Sequence, residues 1–155
     1  MAKMYSISKN ILINAKPEYI FRVLADIENW NLWTSSIKKI VIINDTEFNK
    51  GTKVKVVQPK LLPAVWEITE IEKDKYFTME KRYVGLKMIA KHILEPKNSS
   101  TSVELVLTYE GVFAKLFYSL TSSLTSQYLT MEINGLKNKC EKVSLMSREA
   151  LKFFI

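Results

Sequence analysis

Apolar residues recur at every second position through most of the chain, and that period predicts a strand-rich fold. Residues 4–14 set Tyr5, Ile7, Ile11 and Ile13 along a strand, with an irregularity expected near Lys9 and Asn10. The period then lengthens. Pro17, whose missing N–H suits a first helical turn, and Glu18, which complements the positive end of a helix dipole, begin a helix. Tyr19, Ile20, Val23, Leu24 and Ile27 follow at helical spacing, and Asp26 is placed to cap a second short helix through Trp33.

From Ile37 the period of two returns. Strands are predicted over Ile37–Asn44, Thr52–Gln58, Ala64–Glu72, Tyr76–Tyr83, Leu86–Glu95 and Ser102–Gly111. The connections between them are short and rich in Asn, Asp, Gly, Pro and Lys, which argues for an antiparallel meander. Over 113–142 the spacing is helical again. Leu116, Phe117, Leu120, Leu124, Tyr128, Leu129, Met131, Ile133, Leu136 and Cys140 make a broad apolar stripe. Gly135 lies within it, as a point of close packing or a weak spot. Residues 143–155 either extend this helix or fold back, and Phe153-Phe154-Ile155 is expected to dock on this chain or a neighbouring one. A sheet with one apolar face must be covered, and the long helix is the only large cover available. One helix does not fill a wide curved sheet, so a cavity of roughly a few hundred cubic ångströms is expected between them.

Strand alternation selects the wall of that cavity. It takes Trp66 and Ile68 from the fourth strand, Phe77, Met79 and Tyr83 from the fifth, Met88, Ala90 and His92 from the sixth, and Leu105, Leu107 and Tyr109 from the seventh. The helix adds Phe117, Leu120, Thr121, Leu124 and Tyr128. Large apolar residues at such spacing pack a core as readily as they contact a ligand. His92 on an apolar face is either satisfied by a neighbour or available as a general acid or base, because imidazole titrates near neutrality. Tyr109 is the other weak candidate for a catalytic role. Leu61-Leu62, between Pro59 and Pro63, reads as a plug at the cavity mouth, or a gate in a carrier. Trp30 and Trp33 are expected to wedge the short helices against the sheet.

Composition narrows the chemistry. The 155 residues contain one Cys and one His, far apart in sequence, so neither an internal disulfide nor the usual His/Cys zinc cluster is expected, and no metal or cofactor is implied. Lys+Arg number 23 against Asp+Glu 16, a net charge of +7, but almost all the cations are lysines; only Arg22, Arg82 and Arg148 offer a guanidinium fork. A solvated lysine surface is expected, not a nucleic-acid partner. The first residues alternate instead of opening a long apolar run, so no secretory leader is expected, and no apolar run is long enough to span a bilayer. These features point to a cytoplasmic monomer or homodimer, with peripheral membrane contact left open.

Several short segments then carry a resemblance. Ala15-Lys16-Pro17-Glu18 followed by Leu24-Ala25-Asp26, the pair Trp30 and Trp33, Phe48-Asn49-Lys50-Gly51-Thr52, Leu94-Glu95-Pro96 with Thr101, and Leu136-Lys137 with Cys140-Glu141 are, in this order, similar to motifs of the START/Bet v 1-like (SRPBCC) superfamily. The group resembled most is that of bacterial polyketide cyclases/dehydrases and lipid-transport proteins. Asn98-Ser99-Ser100 stands where that group has a Gly-Thr turn, so a looser or longer hairpin is expected there. The resemblance covers about residues 4–142. It implies an α+β helix-grip domain over 1–142, in which a curved seven-stranded antiparallel sheet wraps a long C-terminal helix, with 143–155 as an extension or docking tail. It also implies binding or transport of a small hydrophobic ligand such as a lipid, an isoprenoid or a polyketide-like compound. Two alternatives accompany this reading. One is a cyclase/aromatase-like enzyme using His92 or a cavity tyrosine. The other is a stress-response or assembly interaction module. The binding reading leads because no cluster of acid, base and nucleophile is evident.

Overall fold

The computed structural model describes residues 3–153. Strand β1 (Met4–Ile13) precedes helix α1 (Pro17–Ala25) and a short 3-10 helix (Ile27–Leu32). Six strands follow: β2 (Lys39–Ile42), β3 (Lys53–Val57), β4 (Ala64–Glu72), β5 (Tyr76–Tyr83), β6 (Leu86–Lys97) and β7 (Ser100–Glu110). Helix α2 (Ala114–Phe153) then closes the fold. The strands form one antiparallel sheet in the order β1-β7-β6-β5-β4-β3-β2. Every consecutive pair from β2 to β7 is a hairpin, and β1 returns to pair with the last strand. The helix-grip architecture expected from the sequence is therefore present.

Several details differ from the sequence expectation. β1 pairs with β7 without a break from Met4↔Glu110 to Ile13↔Thr101, so Lys9 and Asn10 mark no irregularity. The irregularity lies instead in β4, where the register against β5 shifts between Ile68 and Glu70. Such an extra residue bends and twists a strand, which helps the sheet curl. β6 and β7 are longer than predicted and join through a tight turn at Asn98-Ser99, not a loose one. Asn98 takes the left-handed conformation (φ 55°), which Asn tolerates better than most residues. Pro96 fits inside β6 because β5 begins only opposite Ile93, so its missing N–H faces no partner strand. Asp26 makes no capping hydrogen bond; its carboxylate accepts from Asn29 Nδ2 at 2.9 Å, and the segment winds as a 3-10 helix.

The core sits between the concave sheet face and the helices. Ile13, Ile20, Leu24, Val54, Ile68, Phe77, Val103, Leu105 and Leu136 are fully buried. Gly135 resolves its two sequence readings: a Cβ there would lie 2.0 Å from the carbonyl oxygen of Trp33, so this glycine is what lets α2 lie against the chain at Trp33-Thr34. α2 continues as one helix through Phe153, whose side chain is exposed; Phe154 and Ile155 lie outside the described residues.

α2 is also turned relative to the predicted stripe. Its sheet-facing residues run through Ala114, Tyr118, Thr121, Thr125, Tyr128, Glu132, Ile133, Leu136 and Cys140. Leu116, Phe117, Leu120 and Met131 are exposed, Leu120 to 72%. Tyr118, on α2 itself, turns its ring onto those of Tyr5 and Tyr109 beneath the first turns of the helix (Tyr5–Tyr118 5.2 Å, Tyr109–Tyr118 5.7 Å). Small hydroxyl residues fit over them, and larger apolar ones do not.

Candidate ligand-binding cavity

A cavity of about 100 Å³ lies between the sheet and α2, smaller than the sequence reading anticipated. The reason is a block of aromatic rings that fills one end of the concave face. Phe77 packs edge-on against Phe21 and Phe48 and lies flat on the imidazole of His92, with ring centroids 4.2 Å apart and planes within 7°. Trp30 closes the same block, 5.3 Å from His92, and its indole N–H is spent on the carbonyl of Leu24 at 2.9 Å.

What remains open is walled by Trp66, Met79, Met88, Ala90, His92, Leu105, Leu107 and Tyr128, all from the set that alternation had selected. The other eight residues of that set lie elsewhere. Ile68 and Phe77 point inward but are locked into the solid core behind the wall. Tyr83, near the end of β5 beyond the cover of the helix, is half exposed. Phe117 and Leu120 face outward, and Leu124 stands off the cavity, because of the turn of α2 described above. Tyr109 and Thr121 satisfy each other: the tyrosine hydroxyl lies 2.7 Å from Thr121 Oγ1 and 3.0 Å from Thr125 Oγ1. Thr121 donates its own proton to the Phe117 carbonyl, so Tyr109 must donate to Thr121 and accept from Thr125. A hydroxyl committed in this way, fully buried and off the cavity, is a packing element and not a cavity acid.

Residues that the sequence reading did not select complete the wall. Ile37, Ile40 and Val56 come from the β2–β3 side, Gln58 and Leu61 from the loop after β3, and Thr125, Leu129 and Glu132 from α2. The loop is held by the hydroxyl of Tyr128, which donates to the Pro59 carbonyl, and it includes Lys60 in the left-handed region (φ 64°). Leu61 turns into the cavity while Leu62 is exposed, so half of the predicted plug reaches the mouth.

Two polar features stand out in the apolar wall. The first is His92, whose Nε2 lies 2.9 Å from Glu132 Oε1, both side chains being buried. With the carboxylate ionised it only accepts, so Nε2 carries the proton; the other ring nitrogen, Nδ1, is buried with no partner among the described residues. Glu132 escaped the sequence reading because it looks like an ordinary polar position of an amphipathic helix. The turn of α2 carries it inward.

The second feature is Lys81. Alternation in β5 places it on the same face as Phe77 and Met79, a position readable from the strand period although a charged residue is not expected in an apolar wall. Its ammonium sits 4.8 Å from the centroid of the Trp66 ring and 5.8 Å from that of Tyr83. Burial lowers its pKa from the usual lysine range to about 8. Cys140, by contrast, is buried away from the cavity, and desolvation pushes its thiol up to about 12. Among the described residues no His/Cys/Asp/Glu group is arranged to hold a metal ion, and no helix is long and apolar enough to cross a membrane.

A curved antiparallel sheet gripping a long helix, with an apolar cavity between them, defines a ligand-binding or cyclase-like domain of the START/Bet v 1-like (SRPBCC) superfamily. The chain belongs to the family described as polyketide cyclase/dehydrase and lipid transport, whose pattern matches residues 4–141. Solved structures show the same fold. A protein from Thermus thermophilus superposes with a TM-score of 0.74 at 18% identity, covering 90% of this chain and 99% of that one. A point mutant of norcoclaurine synthase from Thalictrum flavum, in complex with a transition-state analogue, gives 0.73 at 12% identity, covering 93% and 98%. A START superfamily protein from Mycobacterium smegmatis gives 0.67 at 17% identity, covering 89% and 98%. No curated protein matches the chain by sequence.

Proposed function

We propose that the protein binds or carries a small hydrophobic molecule in this cavity. The observation that carries the reading is a wall built almost wholly of Trp66, Met79, Met88, Leu105 and Leu107, interrupted only by a few polar groups. Such a surface gains little from water and most from an apolar guest, and two of its side chains are methionines, which adapt their shape readily. Among lipids, isoprenoids and polyketide-like compounds, the volume favours a short chain or a small ring system; a longer ligand requires the loop at Gln58–Pro63 to give way.

The test is titration of the full chain with a neutral probe, octan-1-ol, read by tryptophan fluorescence because Trp66 and Trp30 border the cavity. Saturable binding is expected, and Ala90→Phe, which fills the middle of the wall, abolishes it. Absence of saturable binding in the wild-type protein, together with no co-purifying small molecule in native mass spectra, would sink the proposal.

His92 supports a second reading, that of a cyclase/aromatase-like enzyme. A buried carboxylate holds its imidazole in one orientation, which is how a general base is kept in a single tautomer. With a poly-β-keto thioester as substrate, His92→Gln is expected to lower the cyclisation rate by about a hundredfold. An unchanged rate removes His92 from any proton transfer.

A further inference from the structure

The two polar features of the cavity are not equivalent, and the difference names a class of ligand. In the β5–β6 register Phe77 stands opposite His92, Met79 opposite Ala90 and Lys81 opposite Met88. Phe77 and Lys81 are four residues apart on one strand, so the lysine lies about 13 Å along the wall from the His92–Glu132 pair. Between them run Met79, Met88 and Ala90. The wall thus has the hydrogen-bonded His92–Glu132 pair at one end, an apolar middle, and an ammonium at the other end.

That ammonium has no counter-ion among the described residues: none of their carboxylates lies within 4 Å of it, and desolvation lowers its proton affinity. The face of Trp66 compensates in part, as an aromatic ring does for a cation. Lys91 also borders the cavity, but alternation with Ala90 and His92 turns its side chain to the other face of the sheet, where it is exposed. A positive charge partly drawn out of water and left unpaired carries a cost, and the cost falls when a ligand supplies the missing charge.

We infer that the ligand is an amphipathic carboxylate, its anion on Lys81 and its apolar body along Met79, Met88 and Leu107. A monoanion matches the single cation. A phosphate monoester brings close to two charges, and the second would be buried uncompensated. The inference rests on the cavity-binding reading above and adds the headgroup to it.

The test titrates the full chain at pH 7 with octanoate, octan-1-ol and octyl phosphate, three headgroups on one chain length. Water solvates the ionised acid better than the alcohol, so preference for octanoate requires a charged partner in the protein. The wild-type protein is expected to bind octanoate about tenfold tighter than octan-1-ol, the gain of one charge-assisted hydrogen bond. Lys81→Met and Lys81→Gln lose that preference while still binding the alcohol, and Lys81→Arg keeps it; two neutral variants guard against one failing to fold. Equal binding of acid and alcohol by the wild-type protein, a preference that survives both neutral variants, or tighter binding of octyl phosphate than of octanoate would each overturn the carboxylate assignment and leave the apolar cavity standing. If none of the three probes binds, both readings fall.

Discussion

The two ends of the cavity treat an ionisable group in opposite ways, His92 being buried and Lys81 partly buried. At one end, His92 from β6 meets Glu132 from α2, 40 residues later in the chain, and the pair is closed over by Phe77 and Trp30. At the other, Lys81 has a tryptophan face and, among the described residues, no counter-ion. The first arrangement has a protein partner for Nε2, although Nδ1 has none among the described residues, and it links the sheet to the helix. The second is incomplete, and incompleteness in a cavity wall is what a ligand can use. One structural economy produces both: the concave face of β5 and β6 is shared between a packed aromatic block and an open half, and the polar groups fall on either side of that division.

The comparison breaks most visibly at the paired end. Glu132→Ala leaves His92 buried without its partner and is expected to lower unfolding free energy by about 3 kcal/mol in urea denaturation. Glu132→Gln, whose amide oxygen still accepts from Nε2, is expected to cost clearly less. Equal costs would mean that packing, and not the hydrogen bond, is what Glu132 contributes. Gly135→Ala acts one turn further along α2. Its new methyl has no room against the Trp33 carbonyl, so the helix must move away, with an expected loss of about 2 kcal/mol in the same measurement. A neutral result would show that the approach of α2 to Trp33 is looser than its geometry implies.

At the unpaired end the sign reverses. Lys81→Met removes a poorly compensated charge and is expected to stabilise the ligand-free protein at pH 7 by roughly 1 kcal/mol, tempered by partial solvation of the ammonium. The pH dependence follows from linkage. The folded-state pKa of about 8 lies below the ordinary lysine value of 10.5, so across that window the unfolded chain binds more protons. Stability of the wild-type protein relative to Lys81→Met is therefore constant below about pH 8 and rises between pH 8 and 10.5. Around Lys81, Tyr83 is the titratable neighbour at 5.8 Å, and it does not sit in a charged pair with the lysine. A flat difference between the two proteins from about pH 7 to 10 would contradict the unpaired-cation picture.

The smallest effect is expected at Cys140, which is buried and ionisable like the others but belongs to neither end. With its thiol held near 12 by desolvation, it should resist iodoacetamide at about pH 8 in the native protein and react only on unfolding. Rapid native modification would indicate that the far part of α2 opens more easily than its packing implies.

Most of the framework was legible from the chain alone. Alternation over β4 to β7 marked which residues face inward, and together with the helical stripe it found eight of the cavity-lining side chains, from Trp66 to Tyr128. Alternation works because a strand offers only two faces, and one buried residue identifies the face for its whole length. Helix periodicity is less decisive. The apolar stripe of α2 spans more than half of its circumference, so the sequence left its rotation open. In the rotation adopted, Tyr118 packs on Tyr5 and Tyr109, Phe117 and Leu120 face out and Glu132 faces in.

The sequence by itself determined the order of elements, the antiparallel meander, the single long cover and the inward position of His92, since these follow from local periods and short connections. Tertiary structure alone decided how much of the concave face stays empty, that His92 has a carboxylate partner, and that Lys81 has none among the described residues. Those are facts about which distant side chains meet. They depend on the rotation of one helix and on how far a cluster of rings extends, and neither quantity is encoded in any local stretch of residues.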